Sequence, residues 1–424
     1  MTIQTASMQE TKHRNVSWFS VIALSLLIIV QEIPFLQRQV GGYWLYVPFI
    51  LLLGISTVSR RINLKRSNVG FVLSTLFYFG IAFLYKLVGI SSAGYGHDIH
   101  PILFYVLFLS MFFVIDMNRT QKIYTLWIIS LSMFVTVITN IIDFRRLGDT
   151  YFDAFRYETF LNTTNIIPTQ YSGALMLMGG VLLIAILHDS NLIRKSIWIV
   201  LFVISNLFNL LVMQRTITLI FSIAMYALII LFNARQRAFV SLLTLVGAVG
   251  LIVVILNYET VLTYVGQLFG DSRIAAKLNQ ITRYLNSGDI QEAGGSLTAR
   301  YNLYFTSIST WLGSMRSFLF GIGDHISSNR RIGNHSQFFD VLGQYGVLGA
   351  VPLYYSVYRT MKSCMQILSV PSKSPIFYQC LVICVIFVAR GFFGNVLFEY
   401  IAVRLFVFFP IIISLIGEKE ASAA

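Results

Sequence analysis

Residues 196–232, SIWIVLFVISNLFNLLVMQRTITLIFSIAMYALIILF, decide how this chain is read. Two runs without a charged residue, 196–212 and 217–232, flank a single cation, Arg215. Each run approaches the roughly 20 apolar residues that carry a helix across a hydrocarbon layer. A guanidinium between two such runs costs on the order of a few kcal/mol unless it is paired or faces water. Arg215 is therefore a functional candidate; the plainer alternative is that it marks a tight turn between two spans.

The same texture repeats along the chain. Comparable runs lie near 16–34, 43–58, 67–90, 101–116, 123–142, 167–187, 238–257, 337–357, 376–393 and 396–416. Together they predict an all-α polytopic membrane protein of about twelve transmembrane helices. Composition agrees: 56% of the 424 residues are hydrophobic, 12% are charged and the mean hydropathy is +0.72, outside the range of a soluble domain. Cys364, Cys380 and Cys384 lie late, within or beside apolar runs, which supports neither a disulfide framework nor a thiolate metal site. The first run lacks a following small-residue cleavage site and is expected to be retained.

Basic residues in short connections set the expected orientation. With the N-terminus inside, the inner connections hold Lys12, Arg14, Arg60, Arg61, Lys65, Arg66, Arg119, Lys122, Arg194, Lys195, Arg235, Arg237, Arg359, Lys362 and Lys373. Short outer connections hold only Arg38 and Arg215. Both termini are thus expected to be cytoplasmic. Much of the net charge of +13 is this inside bias and gives no reason to expect nucleic acid as a partner. Two longer outer connections break the pattern. One, about 143–166, carries Arg145, Arg146 and Arg156; the other, about 258–336, carries Arg273, Arg283, Arg300, Arg316, Arg330 and Arg331. That excess points to an anionic visitor on the outer face.

The expected organisation is spans one to nine in 1–257, a large outer loop in 258–336, and spans ten to twelve in 337–424. A loop of about 80 residues is long enough to be functional. Within it, YVGQLFGDSRIAAKLNQITRYL (264–285) and LTARYNLYFTSISTWLGSM (297–315) have helical apolar spacing, and NSGDIQEAGGS (286–296) is a break between them. Two amphipathic helices lying on a membrane surface as a lid are predicted.

Four residues carry candidate chemistry. Arg300 opens the second lid helix, and its planar fork suits phosphate; a solvated surface arginine is the alternative. Arg156 precedes a polar stretch leading into span six. His335, in RRIGNHSQFFDVLGQYGVLGA (330–350), stands at the start of span ten. Imidazole titrates near neutrality and can accept a proton from a hydroxyl, although an interfacial histidine capping the helix with Asn334 and Ser336 explains the motif too. His97 and His100 share one connection and the other histidines are scattered, so no metal site is expected. With no DxD pair in an outer connection, arginines would have to neutralise a phosphorylated leaving group. Glu399 and Asp340, with Arg390 and Arg404, are expected to pair within the bundle, although proton relays of transporters use such residues as well.

Four stretches occur in an order that resembles the O-antigen ligase and Wzy-type polymerase superfamily of bacterial membrane glycosyltransferases. They are RYETFLNTTNIIPTQYSGALMLM, QRTITLIFSIA, LTARYNLYFTSI followed by FLFGIGD, and NHSQFFDVLGQYGVLG. With the span layout they cover most of the chain. The resemblance implies a GT-C-type helical bundle, metal-independent and without a cofactor, in the bacterial inner membrane with its site on the periplasmic face. It implies that Arg215 and Arg300 bind the pyrophosphate of an undecaprenyl-linked glycan, with Arg156 assisting at the mouth; Arg331, beside Arg330, is a further substrate-binding candidate that guides an anionic lipid-linked substrate inward or merely decorates the loop. His335 would activate the acceptor hydroxyl. Implied partners are lipid-linked donor and acceptor glycans, membrane lipids and a chain-length regulator protein. The departure is Ser336, where many relatives have asparagine after the histidine. The expected activity is polymerisation of lipid-linked repeat units; a ligase acting on lipid A–core shares the donor and base, and a lipid-glycan flippase or proton-coupled transporter is the reading from another class.

Overall fold

The computed structural model describes residues 16–33, 36, 66–87, 96–147, 171–213, 215–233, 273–288, 295–323, 332–333, 335–368, 370–372 and 374–423. Among these the chain is mostly helical and no strand occurs. The expected spans at 43–58 and 238–257 lie outside the described residues. So do Arg156, Arg330, Arg331 and Asn334, and the side chains of Arg300 and Glu399.

The helices in chain order are α1 Trp18–Glu32, α2 Arg66–Leu87, α3 Gly96–Val114, α4 Arg119–Leu147, α5 Tyr171–His188, α6 Leu192–Phe208, α7 Thr216–Asn233, α8 Arg273–Ser287, α9 Gly295–Leu312, α10 Met315–Phe320, α11 Gln337–Ile367, α12 Pro375–Arg390, α13 Glu399–Val403 and α14 Phe409–Ala423. A π-helical turn, Asn209–Met213, extends α6, and another, Arg404–Phe408, joins α13 to α14. Among the described residues α4 and α5 are long and apolar enough to cross a membrane, while Trp18–Glu32, Leu73–Tyr85, Ile217–Asn233, Pro375–Arg390 and Tyr400–Ile416 are apolar but shorter.

Helix starts follow local chemistry. Ser17 caps α1, Asn191 caps α6, Ser336 caps α11 and Ser374 caps α12, each side chain accepting from a backbone N–H of the first turn. At α12 Pro375 follows the cap, where its missing N–H costs nothing.

The centre is α5, which is apolar on every side and buried from Tyr171 through Leu182. It packs against α6, α7, α12, α13 and α14. The π turn and the start of α14 are equally enclosed: Leu405, Phe406, Val407, Phe408 and Phe409 are all fully buried. On one flank α1 packs on α4; on the other, α11 packs along α2, α9 and α10. Many large apolar side chains nevertheless face outward, among them Phe19, Leu73, Leu76, Phe83, Trp127, Leu131, Ile223, Val351 and Val385. Inside are Glu32, Gln121, Lys122, Asn140, Gln379 and Arg404.

The first lid helix is described over Arg273–Ser287, and residues 264–272 lie outside the described residues. Two expectations change. Helix α11 continues to Ile367 and is kinked at Gly346, where φ is 60° and ψ −164°. The kink releases the Gly343 and Gln344 carbonyls, and the segment after α10 takes them: Ile322 N donates to Gly343 O at 3.0 Å and Gly323 N to Gln344 O at 2.8 Å. With the Tyr85 hydroxyl donating to Phe320 O, this docks α10 on α11 and α2.

The second change concerns buried charge. Arg404 pairs with Glu32 at the end of α1, a partner the sequence reading did not name. Tyr171 donates to the same carboxylate at 2.7 Å, and all three side chains are almost wholly buried. Asp340 accepts from hydroxyl and amide groups, and no carboxylate among the described residues pairs with Arg390.

Candidate functional site

His335 is exposed and lies two residues before α11. Its Nδ1 is 3.1 Å from the Gly333 carbonyl oxygen. A carbonyl only accepts, so Nδ1 carries a proton, and in the neutral ring the lone pair is on Nε2. The histidine is thus held as the tautomer that can take a proton at Nε2.

Ordered contacts hold both sides of that residue. Ser336 Oγ accepts from Phe339 N at 3.2 Å and donates to Gly391 O at 3.3 Å. Asp340, in the first turn of α11, accepts from Ser336 N at 2.8 Å and from Ser307 Oγ of α9 at 2.6 Å. The Ser307 oxygen in turn accepts from Gly333 N at 2.9 Å. One carboxylate therefore secures the amide after His335 directly and the peptide before it through Ser307. The acid at the N-terminus of α11 also complements that helix's dipole.

The start of α11 sits on residues 391–394, the turn GFFG that follows α12. Gln337 N donates to Gly394 O and Phe338 N to Gly391 O, both at 3.3 Å. Phe392 packs on Phe338 and Phe339, with ring centroids 4.8 and 5.7 Å apart. Gly391 is required by this fit, because a Cβ there would meet the Phe338 ring 2.6 Å away. The Tyr304 hydroxyl of α9 donates to Phe393 O at 3.3 Å, and position 300 lies one turn earlier on that helix. Phe393 also packs on Phe221 of α7 at 5.7 Å, and Arg215 immediately precedes that helix.

Arg215 is half-buried, and its carbonyl accepts the first helical bond of α7 from Leu219 N at 3.0 Å. Across from it, Ser172 Oγ of α5 lies 3.1 Å from Thr218 Oγ1 of α7. Asn209, in the π turn before Arg215, donates to Ser172 O at 3.3 Å. One end of the bundle therefore gathers the starts of α5, α7 and α11 and the end of α12. The opposite end ties His188 to Gln379 at 2.8 Å and Phe232 to Tyr378 at 5.5 Å. Nearby, Asp189 is buried, which alone would raise its pKa. Hydrogen bonds from Asn191 N, Trp198 Nε1 and Arg194, with the charge of Arg194, outweigh that and hold it below the usual carboxylate value.

Of the expected site residues, His335 and Arg215 stand on elements joined through the 391–394 turn, as does the backbone of Arg300. Arg156 and Arg331 lie outside the described residues. Sequence reasoning missed the turn itself, which read as a short connection, and it missed the hydroxyl and amide from which Asp340 accepts. Two glycines around two aromatic residues between apolar runs were the available signal for a close-packed turn. Compared with known proteins, the chain matches no protein-family model and no curated sequence.

Proposed function

We propose that this chain is a membrane glycosyltransferase that polymerises lipid-linked glycan repeat units. The observation that carries the reading is the convergence on residues 391–394. The segment bearing His335, with Nε2 open, shares this turn with α9 and α7, the helices that bear or follow Arg300 and Arg215. A base and cations at one end of a bundle are what displacement of a phosphorylated leaving group requires. Outward apolar side chains, around an interior that also encloses Glu32, Lys122, Gln379 and Arg404, support a lipid-embedded bundle, for which about twelve spans with both termini cytoplasmic remains the proposed layout.

In this reading the donor glycan is carried on undecaprenyl pyrophosphate, and the acceptor is a hydroxyl at the non-reducing end of another lipid-linked unit. His335 Nε2 takes the hydroxyl proton as the oxygen bonds to the anomeric carbon. The anomeric carbon–oxygen bond to pyrophosphate breaks, and Arg215 and Arg300 stabilise the charge that leaves with it. A single displacement inverts the anomeric carbon.

The test is extension of lipid-linked repeat units by the purified protein in detergent. His335→Ala is expected to keep its level in the membrane and to lose about 10²–10⁴-fold in rate. An unchanged ladder from His335→Ala removes the histidine from the chemistry. Accumulation of long lipid-linked polymer in a deletion strain, absent from lipid A–core, shows a ligase instead, and transport without any detergent-phase activity shows a transporter.

A further inference from the structure

Two arginines are buried beside the start of α5, and they are treated differently. Arg404, fully buried, has Glu32 and Tyr171 as partners. Arg390, at the end of α12, is only 7% exposed, yet its one side-chain hydrogen bond among the described residues is long, from Nη1 to Asn395 O at 3.4 Å. No carboxylate among the described residues neutralises it. Its guanidinium lies against Gly173, in the first turn of α5, where any Cβ would collide with all three terminal guanidinium atoms. The absence of a side chain at position 173 is what admits it.

This placement runs against simple electrostatics. The N-terminus of a helix carries a positive partial charge and unsatisfied N–H donors, so it favours an anion rather than a guanidinium. Here two helix starts meet, α5 at Tyr171 and α7 at Thr216, tied by the Ser172–Thr218 contact at 3.1 Å. Arg390 lies over the first, and Arg215 immediately precedes the second. Two cations and two positive helix ends are thus gathered in one place, with Arg390 lacking a counter-charge among the described residues.

We propose that the first turns of α5 and α7, with Arg390 and Arg215, form the seat of a phosphoryl anion, and that Arg390 is one of its direct ligands. Two guanidinium forks and two sets of helix N–H groups offer more donors than a two-oxygen carboxylate can use, whereas a phosphate or diphosphate accepts on several oxygens. That the anion is the diphosphate of a lipid-linked glycan rests on the proposed function; the seat itself does not. The bound anion would then be the counter-charge of Arg390, so the folded protein is expected to be held more firmly with ligand than without.

The experiment is thermal unfolding and equilibrium binding of the purified full chain in detergent, with inorganic pyrophosphate, undecaprenyl pyrophosphate and undecaprenol as separate probes. Wild type is expected to bind both pyrophosphates with a rise in Tm and to ignore undecaprenol. Arg390→Gln is expected to lose at least tenfold in affinity for both, with a Tm without ligand equal to or above wild type, because an uncompensated buried charge has gone. Arg390→Lys keeps a charge but not the fork, so it should fall between them; it serves where Arg390→Gln does not fold. Affinity unchanged in both variants overturns the proposal. Arg390-dependent binding of inorganic pyrophosphate that undecaprenyl pyrophosphate cannot displace upholds the seat and counts against the lipid-linked donor, so the two ideas fail separately.

Discussion

Asp340 occupies the pivotal position at the scale of single residues. Its two carboxylate oxygens take donors from Ser336 N and Ser307 Oγ, and Ser307 holds Gly333 N, so the backbone on both sides of His335 depends on one buried acid. Asp340→Asn preserves shape but turns one oxygen into a donor facing a donor. That substitution is expected to cost about 1–3 kcal/mol of stability and to lower turnover more than it raises KM, since His335 loses its orientation rather than the substrate its binding groups. Measuring kcat and KM separately checks this; an equal loss in Ser307→Ala would show the relay acts as a unit. The carboxylate was visible in the sequence, but its partner is in α9 of the preceding loop, and apolar spacing along α11 carries no trace of it. The histidine was more legible, because a polar triplet ahead of an apolar run has few structural uses.

Among elements, the kink of α11 and the docking of α10 depend on each other. Gly346 has a positive φ that disfavours any side chain, and a Cβ there would also strike the Leu319 carbonyl. Gly346→Ala is expected to destabilise by about 1–3 kcal/mol through the backbone alone. It should also loosen α9 and α10, seen as a lower Tm and faster proteolysis between residues 313 and 323. Gly80→Ala is the control: a Cβ at that exposed helical position meets nothing within 4 Å, so stability should hold or rise slightly. Helical spacing showed that 337–357 and the described lid segments form helices, and the ends at Ser287, Gly295, Leu312 and Gln337 came within a few residues of expectation, unlike the end of α11. The kink escaped notice because its cause is a segment that approaches from the other end of a loop.

Across the whole molecule, the Glu32–Arg404 pair joins the end of the first helix to the π turn near the last, with Tyr171 of the central helix bonded to both. Breaking a buried pair leaves one charge uncompensated. Glu32→Gln is therefore expected to lower stability by about 3–5 kcal/mol, read as Tm in detergent, and Glu32→Gln combined with Arg404→Met should recover part of that loss. No loss in the single variant would show that the pair is not a closure of the bundle. The two buried arginines look alike in sequence, each in an apolar context near the C-terminus. Only packing distinguishes them, since Arg404 reaches an acid from α1 whereas Arg390 reaches a glycine at a helix start.

The amino-acid sequence determined the helical class, the rough bounds of its helices and the residue types able to do chemistry. Those properties reside in local periodicity, local capping groups and the cost of placing charge among apolar residues. Tertiary structure decided which of those residues stand on elements joined to one another and which are neutralised. A four-residue turn at 391–394 gathers α11, α9 and α7 because its carbonyls and aromatic rings meet partners from distant stretches of chain. Pairing across such separations depends on how helices pack, and no window along the chain contains that information.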